Sequence, residues 1–125
     1  MAEFSTISTQ ELNSKLESDD HFLLVDTLGD ESYNRAHIPG AVSISAKEDG
    51  FVKRVKEAVD DMAVEVVVYC GSHSCGLSPQ AAADLAEAGF MNVVDYEGGL
   101  KSWAEAGHDL EGEEADTVAK NLAES

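Results

Sequence analysis

The chain has two thiols, Cys70 and Cys75, and they stand five residues apart in one short stretch. A thiol is a nucleophile only as its thiolate, and at an ordinary pKa near 8.5 about 3% of it is ionised at pH 7. The residues around the pair are small and polar: Gly71, Ser72, His73, Ser74, Gly76, Leu77 and Ser78. Backbone N–H groups of such a loop can converge on an anion. Ser78-Pro79 then reads as a helix N-cap followed by proline at the first helical position. That order sets Cys70 beside unpaired N–H groups and the positive end of a helix dipole. A pKa lowered by about 2 would make the thiol mostly thiolate. The loop therefore reads as an active site with Cys70 as nucleophile.

The flanking elements must hold that loop still. Before it, Val64, Val66, Val67 and Val68 form a β-branched run that reads as a strand buried on both faces, with Cys70 at its end. After it, Ala81, Ala82, Leu85 and Ala86 carry a helix that stops at Gly89. Upstream, a short strand is expected around Phe4 to Ile7, and Ser8-Thr9-Gln10-Glu11 fits a capping box opening a helix with Leu12 and Leu16. Phe22 to Val25 is a second buried strand ending at Asp26, whose carboxylate is placed to reach the same rim as Cys70. Gly29 to His37 holds a short helix, Ile38-Pro39-Gly40 a turn, and Ala41 to Ser45 a third strand. Phe51, Val52, Val55 and Val59 give a helix ending near Asp61 or Met62. Asn92 to Tyr96 is a fifth strand, and Gly98 to Ala106 a helix with Leu100, Trp103 and Ala104 inward. Ala115, Val118, Ala119 and Leu122 recur at helical spacing, so the acidic tail reads as a helix laid on the body. Strands alternating with helices predict an α/β domain whose parallel sheet is covered on both faces, with ligands beyond the carboxyl ends of its strands.

Composition narrows the class. A chain of 125 residues with 43% hydrophobic content fits one domain spanning residues 1–125, its core at about 4–112 and the acidic helix at about 113–123. The net charge of −17 argues against nucleic acid as a partner, since phosphate binding needs basic patches. No apolar run approaches the roughly 20 residues of a membrane span, and the first residues lack the basic and apolar pattern of a signal peptide. With both cysteines in one loop, chemistry in a reducing compartment is favoured over stapling, which predicts a cytoplasmic monomer without cofactor or metal.

Several motifs in order resemble the rhodanese family. Asp26, Glu31 and Ala36-His37-Ile38-Pro39-Gly40-Ala41 resemble its first signature, D-x-R … E-x-x-x-G-H-I-P-G-A. Val67-Val68-Tyr69-Cys70 resembles the strand leading to its active cysteine, and Gly98-Gly99-Leu100 … Trp103 … Gly107 its closing helix. The likeness runs from about Phe4 to Gly112. It implies a three-layer α/β sandwich around a five-stranded parallel sheet, and a sulfurtransferase that carries sulfane sulfur as a persulfide on Cys70. The donor would be a small molecule or a protein-bound sulfur, the acceptor a thiol or cyanide. Non-catalytic interaction or sensing modules share the fold but typically lack the cysteine.

Two departures bear on substrate. The family pattern C-x-x-G-x-R-S puts serine six positions after cysteine, whereas Ser78 lies eight after Cys70, with Leu77 where arginine is common. Leu28 replaces the arginine of D-x-R. A loop without cations in so acidic a chain predicts low thiosulfate activity and a neutral or protein-bound donor. The longer loop also raises phosphatase or arsenate-reductase chemistry, but that needs an arginine clamp, and from Val55 through Asn92 the one cation is Lys56.

Cys75 has two readings, a small residue filling a turn or a resolving thiol that attacks the Cys70 persulfide. Cys70, His73 and Cys75 as metal ligands fit neither a closed zinc site nor usual spacings. Asp26 is a candidate for orienting the loop, and Glu31 a candidate ion-pair partner of Arg35 at i, i+4. His37 is expected to hold the Ile38-Pro39-Gly40 turn, and Trp103 to dock its helix in the core.

Overall fold

A computed structural model describes residues 4–18, 21–72 and 74–124. Among these, five strands form one parallel sheet: β1 (Ser5–Thr6), β2 (Phe22–Asp26), β3 (Val42–Ser43), β4 (Glu65–Tyr69) and β5 (Val93–Tyr96), in the order β1-β5-β4-β2-β3. Six helices intervene: α1 (Thr9–Glu17), α2 (Asp30–Arg35), α3 (Phe51–Ala58), α4 (Leu77–Glu87), α5 (Gly99–Glu105) and α6 (Ala115–Glu124). No helix is long and apolar enough to cross a membrane among the described residues.

β4 is the middle strand, and its valines explain why. Val66, Val67 and Val68 are all fully buried. Val66 and Val68 pack with Val55 of α3 and Ala81, Ala82 and Leu85 of α4. Val67 and Tyr69 face the other way, toward Leu12 of α1 and Leu100 and Trp103 of α5. A strand apolar on both sides is stable only between two helical layers, and each such side chain contributes about 1.5–3 kcal/mol relative to exposure. Its register fixes the rim above it: Asp26 pairs with Tyr69 on one side, and Tyr96 with Tyr69 on the other.

Local signals set the other elements. The Ser8 hydroxyl accepts from the Glu11 N–H at 3.1 Å while Glu11 accepts from the Ser8 N–H at 3.2 Å, the reciprocal capping box that opens α1. Helix α6 lays Ala115, Val118, Ala119 and Leu122 against the α1–α5 side of the core. Gly89 and Gly107, at φ +106 and +85, follow α4 and α5 in the left-handed conformation that ends a helix.

Several boundaries differ from expectation. β3 is shorter than Ala41 to Ser45, because only Val42 and Ser43 ladder with β2 at this sheet edge. α3 stops at Ala58, before Asp61. Two aspartates oppose the negative end of the dipole, and Asp61 instead accepts the Ala63 N–H at 2.7 Å in a turn. α4 begins at Leu77 with Gly76 in the cap position, so Ser78 lies inside the first turn and is not the N-cap.

Candidate active site

Cys70 is the first residue beyond β4 and is 1% exposed. Its carbonyl accepts the Leu100 N–H at 3.1 Å, and the Gly71 carbonyl accepts the Lys101 N–H at 2.9 Å. The start of the loop thus rests on the first turn of α5. Gly99 makes this approach possible: it sits at φ +59, and a Cβ there would run into the Cys70 carbonyl. A turn with the Cys75 N–H donating to the Ser72 carbonyl at 3.1 Å brings the loop back, and Cys70 and Cys75 are joined as a disulfide with Cα atoms 6.5 Å apart. Ser72 and Ser74 hydroxyls touch at 3.1 Å on the loop's outer side. Gly76 and Leu77 lead into α4. His73 lies outside the described residues.

Helix α4 delivers Ser78 to the sulfur. Because α4 starts one residue before it, its hydroxyl is not used as a cap and lies 3.4 Å from Cys70 Sγ, both residues buried. A disulfide sulfur carries no hydrogen, so the hydroxyl is the donor in this contact. The Cys75 carbonyl is 3.6 Å from the same sulfur.

Asp26 does not reach the rim. It is fully buried, with the Leu28 N–H donating to Oδ1 at 3.0 Å and the Tyr69 hydroxyl to Oδ2 at 2.8 Å. Tyr69 in turn accepts the Ile38 N–H at 3.0 Å. Burial raises the Asp26 pKa above its ordinary value; the bonds from Leu28 and Tyr69, and the nearby His37, offset part of that. Burial likewise lifts Tyr69 well above 10, with the Asp26 charge adding to it. One carboxylate therefore ties together the end of β2, the residue preceding Cys70 and the Ile38-Pro39-Gly40 turn. Thr27 adds two bonds to the Tyr69 carbonyl, from its N–H at 3.1 Å and its hydroxyl at 2.8 Å. His37 braces the same turn, with Nδ1 2.7 Å from the Tyr33 carbonyl and its ring stacked on Tyr33 at 3.8 Å. Trp103 is buried and donates from Nε1 to the Asp109 carbonyl at 2.9 Å.

Asp95 escaped the sequence reading. It is fully buried on β5, paired with Val68 on β4, and neither carboxylate oxygen has a hydrogen-bond partner among the described residues. Burial raises its pKa, Glu97 adds to the rise, and the neighbouring Ser78 hydroxyl offsets part of it. A carboxylate interrupting the run Val93-Val94 was the available signal.

Cations gather on the same side of the fold but not in the loop. Arg35, Lys47 and Arg54 line a cleft of about 520 Å³ with Leu28, Asp30 and Glu48. Arg54 pairs with Glu48 at 3.5 Å, and Arg35 pairs with Glu114 at 3.7 Å rather than with Glu31. No cluster of three His, Cys, Asp or Glu side chains is disposed to hold a metal among the described residues.

The chain is similar to known proteins in both sequence and fold. The family model described as a rhodanese-like domain matches residues 8–106. The chain is 32% identical over 97 residues to the Bacillus subtilis protein YrkF, covering 78% of this chain and 49% of that one, so it spans about half the length of that relative. It is 31% identical over 103 residues to the thiosulfate sulfurtransferase GlpE of Pseudoalteromonas translucida, covering 82% of this chain and 91% of GlpE. The crystal structure of the Alr3790 protein from Anabaena superposes with a TM-score of 0.76 at 26% identity, over 92% of this chain and 99% of that one. A parallel sheet ordered β1-β5-β4-β2-β3, a cysteine at the end of its middle strand and this match together mean that the chain belongs to the rhodanese-like domain family.

Proposed function

We propose that this protein is a sulfurtransferase that carries sulfane sulfur as a persulfide on Cys70. The observation that carries the reading is the seat of Cys70: a buried thiol position at the end of the middle strand, under a loop that runs into α4 and with the Ser78 hydroxyl 3.4 Å from its sulfur. In loading, the Cys70 thiolate attacks the outer sulfur of a donor R–S–SH. A new S–S bond forms, the donor's S–S bond breaks, and the donor leaves as a thiol while Cys70 holds S–S⁻. In unloading, an acceptor thiolate or cyanide attacks that outer sulfur, and the electron pair of the S–S bond returns to Cys70.

Cys75 has the reach of a resolving thiol, since it already pairs with Cys70. Its thiolate attacks the inner sulfur of Cys70–S–SH, hydrosulfide leaves, and the disulfide remains. Two equivalents of a reducing thiol then restore both cysteines.

The donor we favour is a persulfide or a protein-bound sulfur rather than thiosulfate. Leu77 and Leu28 occupy the positions where the family pattern has arginine, and Arg35 and Arg54 are engaged by carboxylates. A dianion would enter a strongly acidic protein without a bidentate clamp. Cyanolysis by the reduced protein with thiosulfate and with a glutathione persulfide donor at equal concentration tests this. The persulfide should be faster by tenfold or more, a difference of about 1.4 kcal/mol. Saturation at low thiosulfate concentration would overturn the donor preference.

A further inference from the structure

The family match ends at residue 106, so α6 and the residues leading to it lie beyond it. That segment is nevertheless fastened to α2 and to the turn that follows α2. His37 and Glu111 exchange backbone hydrogen bonds at 2.8 and 2.9 Å. The Glu113 and Glu114 N–H groups donate to the Asn34 and Arg35 carbonyls at 2.9 and 2.8 Å. Gly112, at φ +133, allows this approach: a Cβ there would lie 2.5 Å from the Arg35 carbonyl oxygen. Helix α6 is thereby set across α5, with Val118 and Leu122 turned toward the core.

Between α2, α5 and α6 this docking leaves a pocket of about 160 Å³. Ala36, Leu100, Val118 and Leu122 give it apolar walls, and Gly71, the residue bonded to Cys70, forms part of its lining. Arg35 is its charged side chain, and Glu114 pairs with it at 3.7 Å. An apolar cavity of about 150 Å³ accepts a molecule of benzene size. The pocket therefore has room for a short carbon chain. Its cation is already neutralised, and the net charge of −17 disfavours a further anion there.

We propose that this pocket holds the organic part of the thiol that exchanges sulfur with Cys70, and that this thiol is small with an uncharged aliphatic chain. Val118 and Leu122 are then specificity-determining residues, supplied by a helix outside the family match. The inference rests on the reading of Cys70 as the sulfur carrier. The chain R lies in the pocket while R–S⁻ attacks the outer sulfur of Cys70–S–SH. The new bond gives R–S–SH; the S–S bond at Cys70 breaks, and its electron pair stays on Cys70 as a thiolate. The same seat serves the reverse step, in which R–S–SH loads Cys70. Glutathione persulfide loads by the same chemistry, but its charged peptide gains little from apolar walls.

Two experiments on the full chain test this. The first follows backbone amide shifts of the disulfide form during titration with methyl propyl sulfide, a thioether that cannot exchange sulfur. Saturable shifts centred on Gly71, Leu100, Val118 and Leu122 are expected; shifts that are absent, or centred elsewhere, would overturn the pocket. The second uses the reduced Cys75→Ser protein, loaded by glutathione persulfide. It compares transfer to 1-propanethiol with transfer to cyanide, which has no chain to seat. Leu122→Trp, which fills the pocket, should lower kcat/KM for 1-propanethiol relative to cyanide by about tenfold or more, through KM. Val118→Ala, which enlarges it, should shift preference from 1-propanethiol toward cyclohexanethiol. An unchanged preference between the two thiols in Val118→Ala would overturn the assignment, even where Leu122→Trp depresses both acceptors alike. Amide shifts as expected, with no sulfur loaded on the parent, would overturn the sulfurtransferase reading and leave the pocket standing.

Discussion

Asp26 and Asp95 stand on the two strands that flank β4, both fully buried, and they differ in the face they join and in their partners. Asp26 pairs with Tyr69 in register and accepts two hydrogen bonds; it faces the α1–α5 side and locks the backbone just before Cys70. Asp95 pairs with Val68, faces the α4 side, and accepts none among the described residues. Consecutive residues of a strand point to opposite faces. Tyr69 therefore reports to one carboxylate, and Val68 lies beside the other. Burial raises both pKa values, and at Asp26 two donors, the Leu28 N–H and the Tyr69 hydroxyl, offset part of the rise. The contrast separates a carboxylate built into a hydrogen-bond network from one buried without a hydrogen-bond partner among the described residues.

The contrast should break first at Tyr69. Tyr69→Phe strips the donor from Asp26 Oδ2 and the acceptor from the Ile38 N–H, leaving two buried groups unsatisfied. We expect a loss of about 2–4 kcal/mol, read as a lower urea midpoint. A midpoint within error of the parent would mean that this network does not anchor the loop's root.

Asp95→Asn should move stability in the opposite direction, by on the order of 1 kcal/mol at neutral pH, because a neutral amide is cheaper to bury than a charge. The direction with pH follows from the raised pKa. The folded state binds the Asp95 proton more tightly than the unfolded chain, whose value is near 3.8, so this group's favourable contribution is complete below that pH. It is lost as pH rises through the folded-state value. The gain in Asp95→Asn should therefore be small below about pH 3.8 and grow above it; urea titrations at several pH values check this. A constant difference across the range would show that Asp95 ionisation is not linked to folding.

Much of this arrangement was legible before any coordinates. The strands β2 and β4 are uninterrupted apolar runs of strand length, and the Ser8–Glu11 capping box needs both of its partners only three residues apart. Signals of that kind are local. Ser78-Pro79 misled for the same reason, since a serine before a proline mimics a cap; the helix begins one residue earlier, and the hydroxyl turns to the sulfur. Arg35 took a partner at the start of α6 instead of the neighbour one turn away, a choice that depends on where the tail docks. Asp26 looked like a rim residue because a strand end does not reveal which face its last side chain joins. Asp95 was missed because its isolation is set by strand register and by the α4 layer above it, neither of which is written in the run Val93 to Tyr96.

The central claim is that Cys70 carries sulfur. Intact-mass analysis of the reduced full chain after treatment with glutathione persulfide tests it most directly. One added sulfur, about 32 Da, should appear on the parent protein, map to Cys70, and disappear on treatment with cyanide. It should be absent from Cys70→Ser and persist longer in Cys75→Ser, where no thiol remains to release hydrosulfide. An adduct of the same mass and stoichiometry on Cys70→Ser, or none on the parent, would contradict the account.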